Sequence, residues 1–422
     1  MRQIRKIRYF FKKKIRNIER KTDALAEFLS DVLYGRRTDH KSKLFISVLL
    51  PLSYLFTIIV KIRKVMYKNK ILTSFSLGCP VIVIGNLTVG GTGKTPVTEM
   101  LAKKLLKEGR KVAIISRGYK SKKDPLIKRF FRWMTHRQPP PPKVVSNGAT
   151  LLLCSEKAGD EPFMLARNLP GIPVIVDKDR VKAGNYAIKT FGADVLLLDD
   201  GFQYFRLSTN MQWLLIDRTN PFGNGKLLPC GILREPISHI SRASCVVVTK
   251  SDDRADVKLE QTIRKHNRNA KIIYCRHTPK HLVSLGDNSI KPLRYLKAKR
   301  VAVFSGIAMP DSFENFIKTI GGHVVYKRRF LDHHRFLIGE LERMDENASY
   351  VSADVIVTTE KDSVRLEKDF KFSLPAYYLR VEIELLSDEQ ELEHALAFLQ
   401  TGSRATQQLE PLLVHADRTQ PG

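Results

Sequence analysis

The sequence predicts an α/β fold in two domains, preceded by a helical segment that associates with a membrane. From residue 80 onward, short continuous apolar runs alternate with helical patterns, which is typical of a parallel sheet covered by helices on both faces. A glycine-rich stretch, Gly85 to Thr95, joins the first run to the first helical pattern. Upstream of the sheet, a long uncharged segment lies between clusters of basic residues. These three features indicate the fold class.

The positive charge of the chain is concentrated at its N-terminus. The 422 residues carry a net charge of +29, and residues 1–80 hold 19 Lys/Arg against 5 Asp/Glu. Such an excess favours nucleic acid or an anionic membrane as partner. Arg2 to Lys21 holds ten Lys/Arg with apolar residues at nearly helical spacing, which indicates an amphipathic helix on anionic lipid. A solvated or disordered arm is the alternative. No RNP-like or KH-like signature is present, so we expect no nucleic acid partner.

Residues 44–60 form an uncharged, mostly apolar run that is interrupted once by Pro51. Seventeen residues are at the lower limit for spanning a bilayer. Basic residues flank the run on both sides, whereas a spanning helix usually has asymmetric flanks. The pattern favours a segment that enters one leaflet and returns over one that spans, and a buried core helix is the alternative.

The glycine-rich stretch predicts a site for nucleotide phosphates. It follows an apolar strand and precedes a helix, so its backbone N–H groups and the positive end of the helix face an anion. Lys94 would reach the outer phosphates, and the hydroxyl of Thr95 would bind Mg²⁺. Thr88 stands where the usual P-loop spacing has a glycine. The main domain is therefore predicted to be P-loop NTPase-like.

Acidic residues lie at two further positions where the chemistry of such a site would need them. Asp199 and Asp200 end an apolar strand, the place of the Mg²⁺-directed acid in P-loop proteins. Asp160 opens a helix and is a candidate base for the acceptor hydroxyl, although acids there also complement the helix dipole.

Three other motifs leave alternatives open. Arg234 is suited to bidentate phosphate binding. The Asp-His-His triplet that begins at Asp332 is as consistent with a surface turn as with a function. Residues 249–252, Thr-Lys-Ser-Asp, resemble the guanine-specifying motif of GTPases, but the accompanying switch motif is missing. A membrane-associated GTPase or ATPase switch is therefore the rival interpretation, and a basic RNA-binding NTPase is a third.

The remaining chain follows the same alternation. Strands are predicted at 81–84, 111–115, 172–176, 195–198, 213–216, 245–248, 272–274, 300–304, 323–326, 355–357 and 376–381. Helices are predicted at 95–106, 161–168, 180–191, 257–266, 311–320, 339–346 and 388–399. The predicted divisions are a basic arm 1–43, a membrane-associated segment 44–79, a P-loop domain 80–288, a second, smaller α/β domain 289–401 and a disordered tail 402–422. Five scattered cysteines without a C-x-x-C pair indicate neither disulfides nor zinc.

Taken in order, these motifs resemble the tetraacyldisaccharide 4'-kinase family, the lipid A 4'-kinases of Gram-negative bacteria. The family's own phosphate loop has threonine where Thr88 stands. The basic arm and the insertion after Tyr119 are departures from the family pattern. The matching stretches are 50–53, 85–96, 116–119, 159–162, 179–180, 199–203, 222–236, 332–334 and 359–362.

The resemblance implies roles for particular residues. The catalytic acid/base would be Asp160, assisted by His333 or His334. The ATP phosphates would be bound by Thr88, Val89, Gly90, Gly91, Thr92, Gly93, Lys94 and Thr95. The metal would be held by Thr95, Glu161, Asp199 and Asp200. Phosphate and substrate contacts would come from Arg117, Gln203, Arg234 and Glu235.

The resemblance also implies the reaction. With ATP and Mg²⁺, the enzyme would phosphorylate the 4'-hydroxyl of a tetraacyl glucosamine disaccharide 1-phosphate to give the lipid IVA-type product. It would act at the cytoplasmic face of the bacterial inner membrane, as a peripheral or monotopic protein, with the anionic membrane surface as its partner.

Overall fold

The structure, a computed structural model, describes residues 28–118, 140–252, 256–367, 370–397 and 399. The basic helix predicted at residues 2–21, most of the insertion after Tyr119 and the predicted disordered tail lie outside the described residues.

The described elements alternate between strands and helices. The helices are α1 His40–Lys68, α2 Lys94–Lys107, α3 Ser155–Ala158, α4 Asp160–Asn168, α5 Arg180–Phe191, α6 Val257–His266, α7 Pro310–Thr319, α8 Ile338–Tyr350, α9 Glu360–Ser363 and α10 Glu389–Leu396. The strands are β1 Val81–Asn86, β2 Val112–Ser116, β3 Lys143–Asn147, β4 Pro173–Val176, β5 Val195–Asp199, β6 Met211–Asp217, β7 Cys245–Thr249, β8 Lys271–Ser284, β9 Ile290–Pro292, β10 Arg300–Ser305, β11 His323–Arg329, β12 Val355–Thr359 and β13 Ala376–Leu385. Two 3₁₀ helices lie at Ile237–Arg242 and Leu293–Leu296.

One sheet runs through the molecule in the order β11-β10-β12-β13-β8-β7-β6-β1-β5-β2-β4-β3, with β9 beside β8. Neighbouring strands are parallel except at β3–β4, β8–β13 and β8–β9. The predicted α/β class is confirmed, and the prediction of a wholly parallel sheet is corrected at these three pairs. β3 and β9 were not predicted, because β3 is short and polar and β9 is exposed on every residue.

Strand β8 connects the two parts of the sheet. Its first four residues pair in parallel with β7, and its remainder, from Cys275 to Ser284, pairs antiparallel with β13. The predicted strand at 272–274 is only the beginning of this 14-residue element. We call the β1–β7 side the first lobe and the β10–β13 side the second lobe. The domain boundary predicted near residue 288 stays a prediction.

The first lobe has an apolar layer on each face of the sheet. Residues alternate between the two faces along a strand, so Ile82 and Ile84 lie in one layer while Val81 and Val83 lie in the other. Helices α2 and α4 cover the first layer, and α5 and α6 cover the second. Helix α10 follows the second lobe in the chain, but it packs on the first layer through residues that include Leu392 and Leu396.

Helix α1 is continuous for 29 residues, including Pro51. Asp39 caps its N-terminus by accepting a hydrogen bond of 3.2 Å from the backbone of Ser42. Within the described part of the chain it is the one helix long and apolar enough to cross a membrane, and only 6% of its most apolar 18-residue window is buried. The alternative of a buried core helix is therefore wrong. The segment also does not reverse direction as a leaflet-dipping turn would.

A buried ion cluster joins the two lobes. Arg380 on β13 contacts Glu99 of helix α2, and its Nη1 lies 2.7 Å from Oε2 of Glu360. Asn168 of helix α4 donates to both carboxylates, at 2.7 Å to Glu360 and 3.2 Å to Glu99. The side chains of Arg380, Glu99 and Glu360 are each less than one-tenth exposed. This arginine is the shared counter-ion of two buried acids from different lobes.

Removing this counter-ion should destabilise the fold strongly. In Arg380→Leu, Glu99 would keep Lys103 and Glu360 would keep Arg167, but both of these partners are more exposed than Arg380. Loss of the buried arginine from the two carboxylates should cost about 3 kcal/mol of unfolding free energy. The matched control is Arg276→Leu, since Arg276 pairs with Glu384 where both side chains are more than one-third exposed, and about 1 kcal/mol or less is expected there. Denaturant titration compares the two, and equal losses would contradict the role given to Arg380.

Candidate functional site

The glycine-rich loop leaves β1 and leads directly into helix α2. Gly93 caps the helix in the left-handed region, at φ +81°, where only glycine is unstrained. The loop is held on two sides. The hydroxyl of Thr249 on β7 donates to the carbonyl of Thr92 at 3.0 Å, and Val89 N donates to Ile232 O at 2.7 Å. Helix α2 therefore points its N-terminus at a loop of fixed shape, an arrangement that binds anions.

Asn86, the last residue of β1, hydrogen-bonds several side chains in and around the loop. It is fully buried, and its Nδ2 donates to the hydroxyl of Thr92 at 2.9 Å. Its Oδ1 accepts from Lys94 at 3.3 Å and from Arg234 at 2.6 Å. The predicted site did not include this residue. Its signal in the sequence is a lone amide that ends an apolar strand immediately before the loop.

Arg234 connects the loop to the strand-end acids. Its guanidinium donates to the Thr88 carbonyl at 2.9 Å, to Oδ2 of Asp200 at 3.1 Å and to Oε1 of Gln203 at 3.2 Å. Gln203 in turn donates to the Asn86 carbonyl at 2.8 Å. Arg234 and Gln203 therefore brace the loop. The predicted phosphate contact by Arg234 would add to these bonds.

Two of the predicted substrate residues lie elsewhere. Glu235 is buried behind Arg234, where its Oε2 lies 2.7 Å from Nδ1 of His239 and accepts from Arg242 at 2.8 Å. Arg117 is exposed at the end of β2, and its charge adds to burial in lowering the pKa of Arg180. Neither contacts the loop within the described residues.

The two strand-end acids have opposite electrostatic environments. Burial, together with the charges of Glu161 and Asp200, raises the pKa of Asp199 to about 7 against the opposing effects of Lys94 and Thr98. Burial alone would also raise the pKa of Asp200, but Lys94 and Arg234 lower it to about 2. Lys94 Nζ lies 3.6 Å from Oδ1 of Asp200. Asp200 is thus a paired anion, while Asp199 is an anion with little compensation.

Asp199 has the properties of a cation ligand. Its Oδ1 accepts from Thr98 at 3.4 Å, while its Oδ2 is buried and has no hydrogen-bond partner among the described residues. Glu161 is near enough to raise the pKa of Asp199, and the half-buried Thr95 is the second residue of helix α2. No group of three acidic, cysteine or histidine side chains forms a complete metal cage in the described residues. Two carboxylates and a hydroxyl fit Mg²⁺, which takes its other ligands from water and phosphate.

A second cluster forms where the two lobes meet. Asp160 begins helix α4, and its Oδ2 lies 3.1 Å from Nδ1 of His333 and accepts from Nε of Arg365 at 2.8 Å. Arg335 donates to its other oxygen at 3.3 Å. Burial alone would raise the pKa of Asp160, but the hydrogen bond with His333 and the charges of Arg365 and Arg335 lower it. The carboxylate is therefore an anion that orients its neighbours.

His333 and His334 face different surroundings. His333 has φ +67°, and its Nε2 lies 3.3 Å from Nζ of Lys361, which is also 3.5 Å from Glu161. His334 instead places Nε2 2.8 Å from Glu340, and its ring stacks on Phe330 with centroids 4.7 Å apart. Only His333 therefore joins Asp160.

The residues behind the GTPase-like interpretation have other partners. Lys250 Nζ lies 2.5 Å from Oδ2 of Asp217, and Asp252 pairs with Arg218 at 2.9 Å. Thr249 holds the phosphate loop through its hydrogen bond to the carbonyl of Thr92. This segment packs against the nucleotide loop, but its charged side chains contact the protein itself.

Comparison with known proteins agrees with this geometry. Residues 45–400 match the sequence profile of the tetraacyldisaccharide-1-P 4'-kinase family, LpxK. A tetraacyldisaccharide 4'-kinase of Syntrophus aciditrophicus is 35% identical over 369 residues, which are 85% of this chain and 94% of the relative. One from Anaeromyxobacter dehalogenans is 37% identical over 340 residues, covering 80% and 86%. The crystal structure of LpxK from Aquifex aeolicus in complex with ATP superposes with a TM-score of 0.65 at 29% identity, covering 84% of this chain and 99% of the other.

The contrast between Asp199 and Asp200 predicts opposite effects on thermal stability. The pKa of Asp199 rises from near 4 in the unfolded chain to about 7 in the folded protein. Its ionised form therefore destabilises the fold as pH rises through this range. Asp199→Asn should raise the Tm at pH 8, with a smaller gain at pH 5. Asp200→Asn should lower the Tm at both pH values, because the pKa of about 2 keeps Asp200 ionised at both.

Differential scanning calorimetry of the nucleotide-free protein in chelator measures these shifts, which should be a few degrees, on the order of 2 °C per kcal/mol. A Tm decrease of similar size in both variants would contradict the assignment of Asp199 as the uncompensated charge.

Proposed function

The chain belongs to the tetraacyldisaccharide-1-P 4'-kinase family, and from this premise we propose how its residues carry out the reaction. It is a lipid A 4'-kinase. It transfers a phosphoryl group from ATP to the 4'-hydroxyl of a tetraacyl glucosamine disaccharide 1-phosphate and forms the lipid IVA-type product. The observation that carries the mechanism is the Asp160–His333 contact, formed by opposite lobes.

Residues 88–95 cradle the phosphates of ATP in this proposal. Their backbone N–H groups and the N-terminus of helix α2 would stabilise the negative charge of the phosphate chain. Lys94, which Asn86 and Asp200 orient, would reach the outer phosphates. Because Arg234 bonds to Thr88, Asp200 and Asn86 together, it holds the loop in the shape that binding needs.

Asp199, Glu161 and Thr95 are the residues that would hold Mg²⁺. The support is the orphaned, buried Oδ2 of Asp199 and the raised pKa of its carboxyl, both of which a cation would relieve. The ion, when bound, would neutralise charge on the transferred phosphoryl group. Asp200 contributes indirectly, by fixing Lys94 and Arg234.

The Asp160–His333 pair accepts the proton of the acceptor hydroxyl. The 4'-oxygen attacks the terminal phosphorus, the bond to the bridging oxygen breaks, and ADP leaves. With Nδ1 of His333 directed to Asp160, the proton would go to Nε2, the ring nitrogen that lies 3.3 Å from Nζ of Lys361. Arg365 and Arg335 keep Asp160 ionised, so it stabilises the imidazolium that forms.

Helix α1 would place this site at the anionic cytoplasmic face of the inner membrane. Its apolar side chains include Leu44 at 62% exposed and Val48 at 69% exposed, and Lys43 and Lys61 lie on either side of the apolar run. Apolar side chains with basic flanks suit a membrane surface. A peripheral or monotopic kinase can then reach an acceptor that stays in the bilayer.

The catalytic assignment is tested by comparing the two histidines. His333→Ala and Asp160→Asn should each lower kcat for lipid phosphorylation by ~10²-fold or more, because each removes part of the proton acceptor. His334→Ala is the control, since its ring contacts Glu340 and Phe330. The assay uses radiolabelled ATP and the lipid disaccharide 1-phosphate, followed by thin-layer separation. Failure of the unmodified protein to label the lipid would refute the function, and equal losses in both histidine variants would refute the assignment of His333.

The membrane role of helix α1 is tested by its apolar side chains. The double variant Val48→Asn, Ile59→Asn should bind anionic liposomes at least ~10-fold more weakly, because each lost side chain contributes about 1.5–3 kcal/mol when it is buried in an apolar phase. Ser47→Asn alters the same helix at an exposed polar position and serves as the control. Sedimentation with liposomes measures the difference. Binding that is equal for the control and the double variant would rule out insertion of this surface.

A further inference from the structure

The described N-terminal segment, residues 28–39, reaches the phosphate loop before the chain enters helix α1. It lies outside residues 45–400, which the family profile matches. Tyr34 is the residue of this segment that approaches the loop.

The segment is fixed to the first lobe at Tyr34 and at the two residues before it. Val32 is completely buried, and Asn224 donates to its carbonyl at 3.4 Å. Asn220 donates to the carbonyl of Tyr34 itself at 3.0 Å. Gly223 leaves room for the segment, since a Cβ there would lie 3.1 Å from the carbonyl of Leu33. The backbone of Tyr34 is thus held by side chains of the loop after β6.

The hydroxyl of Tyr34 lies directly against Gly90. A Cβ added to Gly90 would lie 2.4 Å from Oη of Tyr34, and the backbone of Gly90 has φ +111°. Gly91, the next residue, faces open space. Within the described residues the hydroxyl forms no hydrogen bond. A donor without a partner therefore lies at the edge of the open side of the phosphate loop.

The charges around Tyr34 keep its proton in place. Burial raises the pKa of the phenol, Arg36 opposes this rise, and the carboxylates of Asp332 and Asp217 add to it. Asp332 also contacts Lys361, which in turn lies beside His333. The hydroxyl beside Gly90 is consequently a neutral donor.

We propose that Tyr34 is a positioning residue for the nucleotide, whose hydroxyl donates a hydrogen bond to an oxygen of the phosphate chain held by residues 88–95. This inference rests on the proposed ATP cradle and adds a contact from outside the family's matched region. The N-terminal segment thereby completes the phosphate site. Because only residues 35–39 separate Tyr34 from helix α1, the element that contacts the membrane and the element that contacts the phosphates are one continuous stretch of chain.

Tyr34→Phe in the full-length protein tests the proposal directly. A hydrogen bond to a charged group contributes enough that ATP and ADP should bind roughly tenfold or more weakly. Adenosine, which has no phosphate, should compete as well as it does with the unmodified protein. The matched control is Tyr54→Phe, because Tyr54 is 63% exposed on helix α1. Equilibrium dialysis with radiolabelled ATP, without lipid, gives these affinities. Unchanged ATP affinity in Tyr34→Phe, or an equal loss for adenosine, overturns the proposal.

A second measurement tests whether the tyrosine lies on the loop in solution. Gly90→Ala should lower the Tm more in the unmodified background than in the Tyr34→Phe background, since Oη is the atom closest to the added methyl group and the next ring atom is 3.6 Å away. Equal losses would place the ring elsewhere. Lipid phosphorylation by the unmodified protein is assayed separately, so that failure of the kinase function is distinguished from failure of the Tyr34 contact.

Discussion

A carboxylate buried at the junction of two lobes must be paired, and Asp160 meets that requirement with groups from the second lobe. Arg365 is completely buried between Asp160 and Asp362, and it also donates to the Gly306 carbonyl at 2.9 Å. If the lobes separated, Asp160 would lose Arg365, Arg335 and His333, while Arg365 would keep Asp362 of its own lobe. The cost of unpaired buried charge therefore favours the closed arrangement, and the same contacts bring His333 to the first lobe. One ion cluster thus joins the lobes and assembles the proton acceptor.

On the phosphate side of the site, one buried carboxylate is left without a charged partner in the part of the chain that the structure describes. Asp200 has two cationic partners, whereas Asp199, one residue earlier, has a buried oxygen without any partner among the described residues. The backbone explains the difference, because Asp200 has φ +54° and turns its side chain away from the strand toward Lys94. The carboxylate anions of Asp160, Asp200 and Asp362 are each paired with arginine or lysine. An unsatisfied one beside the helix that starts at Lys94 marks the position where substrate and cation would supply the missing charge.

Local patterns in the sequence were sufficient for the fold class, the phosphate loop and the strand-end acids, because each depends on neighbouring residues. The family and its activity followed from the order of these motifs. The partners of Asp160 could not be predicted, since Arg365 is 205 residues away and nothing in its surroundings marks it. The choice between His333 and His334 depends on a single left-handed backbone position. Glu235 was assigned a substrate contact from the family resemblance, yet its side chain is buried with His239 and Arg242.

Helix α1, which would contact the membrane, is connected to the phosphate loop through a short series of contacts. On helix α1, the hydroxyl of Ser53 donates to the Leu227 carbonyl at 2.8 Å, and Leu227 forms a bridge with Leu233. The following residue, Arg234, then bonds to the Thr88 carbonyl. Three short contacts therefore lead from the apolar helix to the phosphate loop, in parallel with the path through the N-terminal segment. A kinase whose acceptor is confined to a bilayer and whose donor is in water needs both to meet at one place. Here the surface suited to the bilayer and the loop suited to ATP are braced by the same loop of the first lobe.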